Sequence, residues 1–231
     1  DTERAVYHWI TKGWEDVGTE PHDNESLRLI WAFEKAKRAT TPKEVASLIR
    51  EYRLPREAVP TQYLTDPRVW DALLEDMPMT AMIRNLATMT RIGLIAPLSA
   101  ASKKVAEQLG DTGRIRKARV HPIQILAALK TYSSGQSAYR GRDNVRAHNI
   151  RARFPHGSKE GVADTRTWNP VPNVVDALDA AFYTAFQNVE PSGKAHLVAV
   201  DVSGSMSGGN IAGIPNLTPC EAAAAMALVT M

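Results

Sequence analysis

The sequence predicts a mainly α-helical protein that leads into the start of an α/β unit. Two observations support this prediction. Helix-start signals recur through residues 26–132, each followed by apolar residues at helical spacing. One short apolar run, residues 197–200, then leads into Asp201 and precedes a further helix start at Thr218. With 231 residues, the chain is long enough for one large domain or two small ones.

The clearest helix start is the sequence Thr41-Pro42-Lys43-Glu44. The threonine is a capping residue, the proline suits the first helical position, and the glutamate stands where a capping box needs it. Apolar residues at the spacing of one helix face follow: Val45, Leu48, Ile49 and Tyr52. Similar starts recur at Asp66-Pro67, Pro78, Ser99, His121-Pro122 and Thr218-Pro219. Although no exact repeat is present, helices in this succession predict the stacked hairpins of an α-solenoid.

The composition changes after the last of the early helices. Residues 133–170 are rich in Gly, Ser, Asn and Arg and lack helical spacing, which predicts a long loop. Apolar residues at helical spacing between 174 and 182 indicate a new helix, and residues 190–193 predict a turn. We therefore divide the chain into a helical region, 1–170, and a second region, 171–231, that contains the start of the α/β unit.

The composition is that of an ordinary soluble globular protein. Lys and Arg total 28 against 25 Asp and Glu, so the net charge is only +3 and any nucleic-acid function depends on where the charges lie. The single cysteine, Cys220, cannot close an intramolecular disulfide. Neither a signal-peptide pattern nor a window of about 18–20 apolar residues is present. We expect a cytoplasmic protein without a membrane span.

A short polar loop follows the apolar run and contains the sharpest chemical motif. Asp201-Val202-Ser203-Gly204-Ser205 places one carboxylate and two hydroxyls at the carboxyl end of a predicted strand. Hard oxygen donors of this kind suit Mg²⁺ or another divalent cation. The alternative is an ordinary Ser- and Gly-rich turn. The motif resembles the metal-ion-dependent adhesion site of von Willebrand factor A domains, a Rossmann-like α/β fold.

That resemblance implies roles for three residues. Asp201 would act mainly through waters, and Ser203 and Ser205 would ligate the cation directly. In the family a Thr and an Asp from later loops complete the site, and the sequence in hand lacks both. The resemblance therefore implies an incomplete metal site in the first part of an A domain, one that would bind a partner protein's carboxylate.

Five upstream segments resemble the TROVE module of the Ro autoantigen family. They are YHWITKGW at 7–14, EDMPMTAMIRNL at 75–86, RKARVHP at 116–122, ALDAAFY at 177–183 and VEPSGK at 189–194. The resemblance implies the C-terminal part of a HEAT-like helical ring joined to the first part of an A domain. The chain departs from animal members chiefly in the longer and more basic residues 133–170. We expect a fragment of a bacterial or phage member.

The family resemblance also implies a function. The ring binds small noncoding Y RNAs on its outer surface and single-stranded ends of misfolded RNAs in its central hole. We therefore expect a ribonucleoprotein component in RNA quality control or processing, whose partners are small noncoding RNA, misfolded RNA 3′ ends and an exoribonuclease. A protein interaction scaffold without RNA binding is the alternative. An enzyme is not expected, because the six histidines are dispersed and no catalytic grouping is present.

Two groups of basic residues are candidates for RNA contact. The first comprises Arg114, Arg116, Lys117 and Arg119, which precede the His121-Pro122 helix start, where backbone N–H groups would favour a phosphate. A solvated charged loop is the alternative. The second lies in the long loop and comprises Arg140, Arg142 and Arg146, with aromatic neighbours that include Tyr139, Phe154 and Trp168. Its alternative is a disordered linker. Trp9, Trp14, Trp31 and Trp70 are expected to pack between helices.

Overall fold

The structure, a computed structural model, describes residues 2–13, 25–136, 167–211 and 214–231. The described residues form α-helices and short 3-10 helices, which confirms the mainly α prediction. The chain divides into two compact units. The first extends to Pro78 and includes Ile92–Leu94, and the second contains Met79–Arg91 and the chain from Ile95 onward. No helix within the described ranges is long and apolar enough to cross a membrane.

The described part of the first unit contains four α-helices. They are α1 (Thr2–Lys12), α2 (Glu25–Arg38), α3 (Pro42–Tyr52) and α4 (Pro67–Asp76). Helix α2 packs against α1 and α3, and α3 also packs against α4. Between α1 and α2, the Trp9 ring meets Phe33 edge-on, and the Trp9 indole donates a hydrogen bond to Glu34. Trp70 is almost completely buried and donates to the Leu64 carbonyl at 2.8 Å. Both tryptophans therefore pack between elements, as the sequence predicts.

The helix starts of the first unit follow the predicted capping chemistry. The Thr41 hydroxyl accepts the Glu44 N–H, and the Asp66 carboxylate accepts the Arg68 N–H at 2.9 Å. Glu34 is a buried carboxylate near the end of α2. Its burial opposes ionisation, but hydrogen bonds from Lys37 and Trp9 outweigh that effect and lower the pKa of Glu34. The carboxylate therefore stays charged and ties α1 to α2.

Among the described residues, the second unit contains six α-helices. They are α5 (Met79–Arg91), α6 (Ala100–Gly110), α7 (Thr112–Lys117), α8 (Pro122–Ser133), α9 (Pro172–Thr184) and α10 (Pro219–Thr230). Helix α9 lies at the centre and packs against α6, α7 and α8. Its core-facing residues, Val174 and Leu178, are completely buried. The short helix α7 is not predicted by the sequence, because six residues are too few to show a helical period.

Residues at both ends of the predicted long loop pack close to Tyr132. The Trp168 indole donates to the Tyr132 carbonyl at 2.9 Å, and the two rings stack. The Trp168 N–H donates to Gly135 O at 3.0 Å, and Gln136 forms an isolated bridge with Thr167. The proposal that Trp168 stacks on unpaired bases is therefore wrong, because this side chain is buried against Tyr132.

The predicted strand at 197–200 is also wrong. These residues are assigned to no helix or strand, and Leu197 is fully exposed. A strand requires a neighbour that accepts its ladder hydrogen bonds, and no described residue provides one. The helix that follows is as predicted: Thr218 and Glu221 cap α10 reciprocally, and Glu221 also accepts a hydrogen bond from Lys130 of α8.

Candidate RNA-binding turn and metal-binding loop

Helix α7 and the residue two positions beyond it present the first predicted RNA-binding cluster. We call Arg114, Arg116, Lys117 and Arg119 the basic turn. The helix begins at Asp111, whose carboxylate accepts the Arg114 N–H at 3.0 Å. Ile115 is buried and anchors the helix, whereas Arg116, Lys117 and Arg119 are exposed and Arg114 is half-buried. The structure thus brings the four predicted cations together on one surface element.

Arg119 ends this element in an unusual backbone conformation. Its φ is 50°, in the left-handed region, although it is not a glycine. The Arg119 N–H donates to Arg116 O, and the Val120 N–H donates to Ile115 O. This pair of bonds is the Schellman arrangement, in which the left-handed position is usually glycine. An arginine there costs on the order of 1 kcal/mol.

Asn188 holds the basic turn from a distant part of the chain. Its side-chain amide donates to Ile115 O at 3.1 Å and to Val120 O at 2.9 Å. Asn188 ends the 3-10 helix Ala185–Asn188, which directly follows α9. The two carbonyls lie 73 and 68 residues away in the chain, so no local sequence signal could have identified Asn188 as a positioning residue.

The cations of the basic turn form no ion pair with the described residues. None of the four charged side-chain groups has a carboxylate oxygen within 4.0 Å among the residues that the structure describes. By contrast, Arg50 in the first unit pairs with both Asp71 and Glu75. Unpaired exposed guanidinium and ammonium groups are available to phosphate oxygens, which they bind through charge-assisted hydrogen bonds.

The start of helix α8 does not add a phosphate site to the turn. Pro122 has no N–H, the Ile123 N–H donates to the His121 ring, and the His121 N–H donates to the Gln124 side chain. The Gln124 N–H in turn donates to His121 O. Every amide of the first turn is satisfied within the chain, so the expectation of phosphate binding by these groups is wrong. His121 is a capping residue.

The second predicted RNA-binding group belongs to the predicted long loop. Arg140, Arg142 and Arg146, with Tyr139 and Phe154, lie outside the described residues. Their contact with RNA stays a prediction.

Residues 201–207, which we call the metal-binding loop after the predicted site, keep the donor groups of Asp201, Ser203 and Ser205 together. The Asp201 carboxylate accepts the Ser203 N–H at 2.8 Å, and the Ser203 and Ser205 hydroxyl oxygens share a hydrogen bond of 2.9 Å. Gly204–Ser207 forms a 3-10 helix that turns the second hydroxyl back toward the first. Hydrogen bonding from Ser203 lowers the pKa of Asp201, so this carboxyl is ionised at neutral pH.

The spacing of the two hydroxyls fits an octahedral cation. Adjacent ligands at about 2.0–2.1 Å from Mg²⁺ lie about 2.9 Å apart, and the Ser203 and Ser205 oxygens have that separation. One Asp201 oxygen is engaged with the backbone, which leaves the other for a metal-bound water. No group of three His, Cys, Asp or Glu side chains in the described ranges could hold a metal ion. A cation here would therefore depend on the hydroxyls and on water.

Comparison with known proteins places the chain in a family. The TROVE domain model matches residues 11–194. A protein named RNA-binding protein RO60 from Deinococcus radiodurans is 40% identical over 231 residues, which is 100% of this chain and 39% of that protein. One of the same name from Caenorhabditis elegans is 34% identical over 218 residues, 94% of this chain and 30% of that protein. Both names describe RNA binding.

A solved structure supports the helical architecture. The crystal structure of the Deinococcus radiodurans RO (RSR) protein matches with a TM-score of 0.77 and 38% identity, over 98% of this chain and 40% of that chain. The chain thus spans about two fifths of the length of this bacterial relative. Likeness to a bacterial protein agrees with the expectation of a bacterial or phage member. The resemblance seen in the five sequence segments is confirmed, and the chain belongs to the TROVE domain family.

Proposed function

We propose that the chain binds RNA as a non-catalytic component of a ribonucleoprotein, with the basic turn as a phosphate-binding surface. The names of the two relatives support RNA binding. The structural observation that supports the turn is the grouping of four cations around one short helix, with no described carboxylate close enough to neutralise them. Their positions are fixed by Asn188 rather than left to a mobile loop.

The RNAs in this proposal are small noncoding, Y-like RNAs and the 3′ ends of misfolded RNAs. Phosphate contacts position an RNA without reading its sequence, so one basic surface suits both kinds. The role is RNA quality control or processing in the cytoplasm, where an exoribonuclease would act on the bound RNA. The described cations support the phosphate contacts, and the family resemblance supports the choice of RNAs.

The second part of the proposal concerns the metal-binding loop. Asp201, Ser203 and Ser205 would hold Mg²⁺ at the start of an A domain, with Asp201 acting through water. When bound, the cation supplies a positive charge with an open coordination position for a partner protein's carboxylate. The 2.9 Å separation of the two hydroxyl oxygens and the lowered pKa of Asp201 support this assignment.

Fluorescence anisotropy with a labelled structured RNA that has a single-stranded 3′ end tests the main proposal. The chain is compared with Arg116→Gln/Lys117→Gln, which removes two exposed cations of the basic turn. The matched control is Arg91→Gln/Lys103→Gln, which removes one exposed arginine and one exposed lysine from α5 and α6. The first variant should weaken binding at least several-fold more than the control, because each lost phosphate contact removes a favourable electrostatic interaction.

Two outcomes would contradict the proposal. Equal RNA affinity of the two double variants would show that the basic turn does not contact RNA. A wild-type chain that binds no RNA but retains partner proteins would instead favour the interaction scaffold.

A further inference from the structure

A row of cationic and aromatic side chains lies on the first unit and includes Trp31, one of the tryptophans predicted to pack between helices. The Trp31 ring on α2 lies 5.5 Å from the Tyr52 ring at the end of α3, at an interplanar angle of 49°. The Arg28 guanidinium carbon lies 5.6 Å from the Tyr52 centroid, and Lys35 Nζ lies 5.3 Å from the Trp31 centroid. We call Arg28, Trp31, Lys35 and Tyr52 the aromatic row.

Three residues of the aromatic row share one face of α2 because of their spacing in the sequence. Arg28, Trp31 and Lys35 are separated by three and four positions, so they lie on one face of α2. The core of the unit lies on a different face, which contains the buried residues Ala32 and Ala36. The row is therefore a surface feature, and both of its rings are half-buried rather than enclosed.

Trp31 differs from the other tryptophans that the structure describes. The indoles of Trp9, Trp70 and Trp168 donate hydrogen bonds to Glu34, Leu64 and Tyr132. The Trp31 indole N–H has no acceptor among the described residues. A buried packing tryptophan usually satisfies this group, so a half-exposed ring with an open N–H is suited to an external ligand.

The charges beside the rings favour an anionic ligand. Neither Arg28 nor Lys35 has a carboxylate oxygen within 4.0 Å in the described ranges, whereas the nearby Lys37 is paired with Glu34. Burial and the neighbouring Glu51 raise the pKa of Tyr52, which keeps the phenol neutral at physiological pH. Glu51 is also the one described carboxylate that acts on the row, and it would oppose an anion.

We propose that the aromatic row binds an unpaired nucleotide of single-stranded RNA. The base stacks on Trp31, and Arg28 and Lys35 neutralise the phosphates on either side. Both cations reach the rings through flexible methylene stems, so they move from ring to phosphate when a base is seated. This site rests on the proposed RNA-binding function and adds strand selectivity to it, since a stacked duplex cannot offer a free base face.

The test compares two RNAs and a small set of variants of the full chain. The probes are an oligoadenylate of about 12 nucleotides and a blunt RNA duplex of the same length, measured by anisotropy. Trp31→Ala should weaken binding of the single strand on the order of 10-fold and leave duplex binding within about twofold. Trp31→Phe should retain most of the affinity, because phenylalanine still offers a ring.

Charge variants test the same site independently of its packing. Lys35→Gln should weaken single-strand binding and reduce its salt slope by about 1, whereas the matched control Lys43→Gln, on the exposed side of α3, should not. Glu51→Gln should tighten binding, because it removes the carboxylate beside the row. If circular dichroism shows that Trp31→Ala is unfolded, Lys35→Gln and Glu51→Gln alone test whether the aromatic row binds the single strand.

The outcomes separate this site from RNA binding in general. If the wild-type chain binds RNA but Lys35→Gln and Glu51→Gln both match it on the single strand, and a folded Trp31→Ala does too, the aromatic row is overturned and the proposed function stands. If the wild-type chain binds neither RNA, the proposed function itself fails. Selective loss of single-strand affinity in folded variants supports the aromatic row.

Discussion

The side chain of Asn188 donates a hydrogen bond of 2.9 Å to the carbonyl oxygen of Val120, 68 residues earlier in the chain. The same amide donates to Ile115 O at 3.1 Å. Val120 and Ile115 are almost completely buried, so water cannot easily replace the amide. Because Arg116, Lys117 and Arg119 lie between these two carbonyls, Asn188 fixes the backbone that presents the cations.

Replacement of Asn188 tests this positioning role. Asn188→Ala leaves two carbonyls without their donor, and we expect a loss of about 1–3 kcal/mol in the free energy of unfolding. RNA affinity should fall as well, although no cation is removed. Gln187→Ala changes an exposed neighbour and should alter neither quantity. Urea unfolding and anisotropy measure the two effects, and wild-type RNA affinity in a folded Asn188→Ala variant would show that the turn needs no such support.

Arg119 should affect stability and RNA binding in opposite directions. Its φ of 50° favours glycine, so Arg119→Gly should raise the free energy of unfolding by up to about 1 kcal/mol. The same change removes a cation of the basic turn and should weaken RNA binding. Lys117→Gly, in the last turn of α7, should instead reduce both. Thermal unfolding and RNA titration of the two variants check these signs, and weaker folding in Arg119→Gly would refute the account of the helix end.

Tyr132 should make the second unit sensitive to alkaline pH. Burial raises the pKa of Tyr132, whose hydroxyl accepts the Val171 N–H and shares a hydrogen bond with Thr90. The unfolded chain therefore loses the phenolic proton first. The resulting stabilisation is present in full below about pH 10 and is lost as the pH rises through the raised folded pKa.

The variant Tyr132→Phe should lose this alkaline contribution. At neutral pH it should also cost about 1–3 kcal/mol, because the buried Val171 N–H loses its acceptor. Tyr183→Phe, at an exposed position, should behave like the wild-type chain. Denaturant unfolding at neutral pH and near pH 10.5 measures both effects, and an unchanged pH profile in Tyr132→Phe would count against the role of burial.

The metal-binding loop predicts a specific pattern of Mg²⁺ or Mn²⁺ binding. Asp201→Asn and Ser205→Ala each remove an oxygen donor and should weaken binding in calorimetric titration. Ser207→Ala changes a serine of the same loop that lies outside the motif and should bind as the wild-type chain does. If Asp201→Asn and Ser205→Ala bind the cation as tightly as Ser207→Ala does, the loop is an ordinary turn.

Local chemistry explains which parts of the fold are predictable from sequence. The caps at Thr41, Asp66, Ser99 and Thr218 are confirmed, because a capping side chain and its acceptor or donor lie within three residues. The helix start predicted at His121-Pro122 is also confirmed, because the His121 ring accepts the Ile123 N–H.

Features that depend on distant partners are not predictable in this way. Trp168 has the aromatic and basic neighbours expected of an RNA-binding loop, but its acceptor on Tyr132 lies 36 residues away. Residues 197–200 have strand-like composition without a paired strand. Asn188 shows no local signal, since its two acceptors become neighbours only when α7 packs near the end of α9. The metal roles of Asp201, Ser203 and Ser205 and the RNA roles of the basic residues stay predictions.

The salt dependence of RNA binding tests the central claim most directly. Plots of log affinity against log salt concentration are compared for the wild-type chain and Arg116→Gln/Lys117→Gln. If these cations contact phosphates, the wild-type slope is steeply negative and the double variant is less steep by about 2, one for each lost contact. Identical slopes for the two proteins, or a wild-type affinity that does not change with salt, would contradict RNA binding by the basic turn.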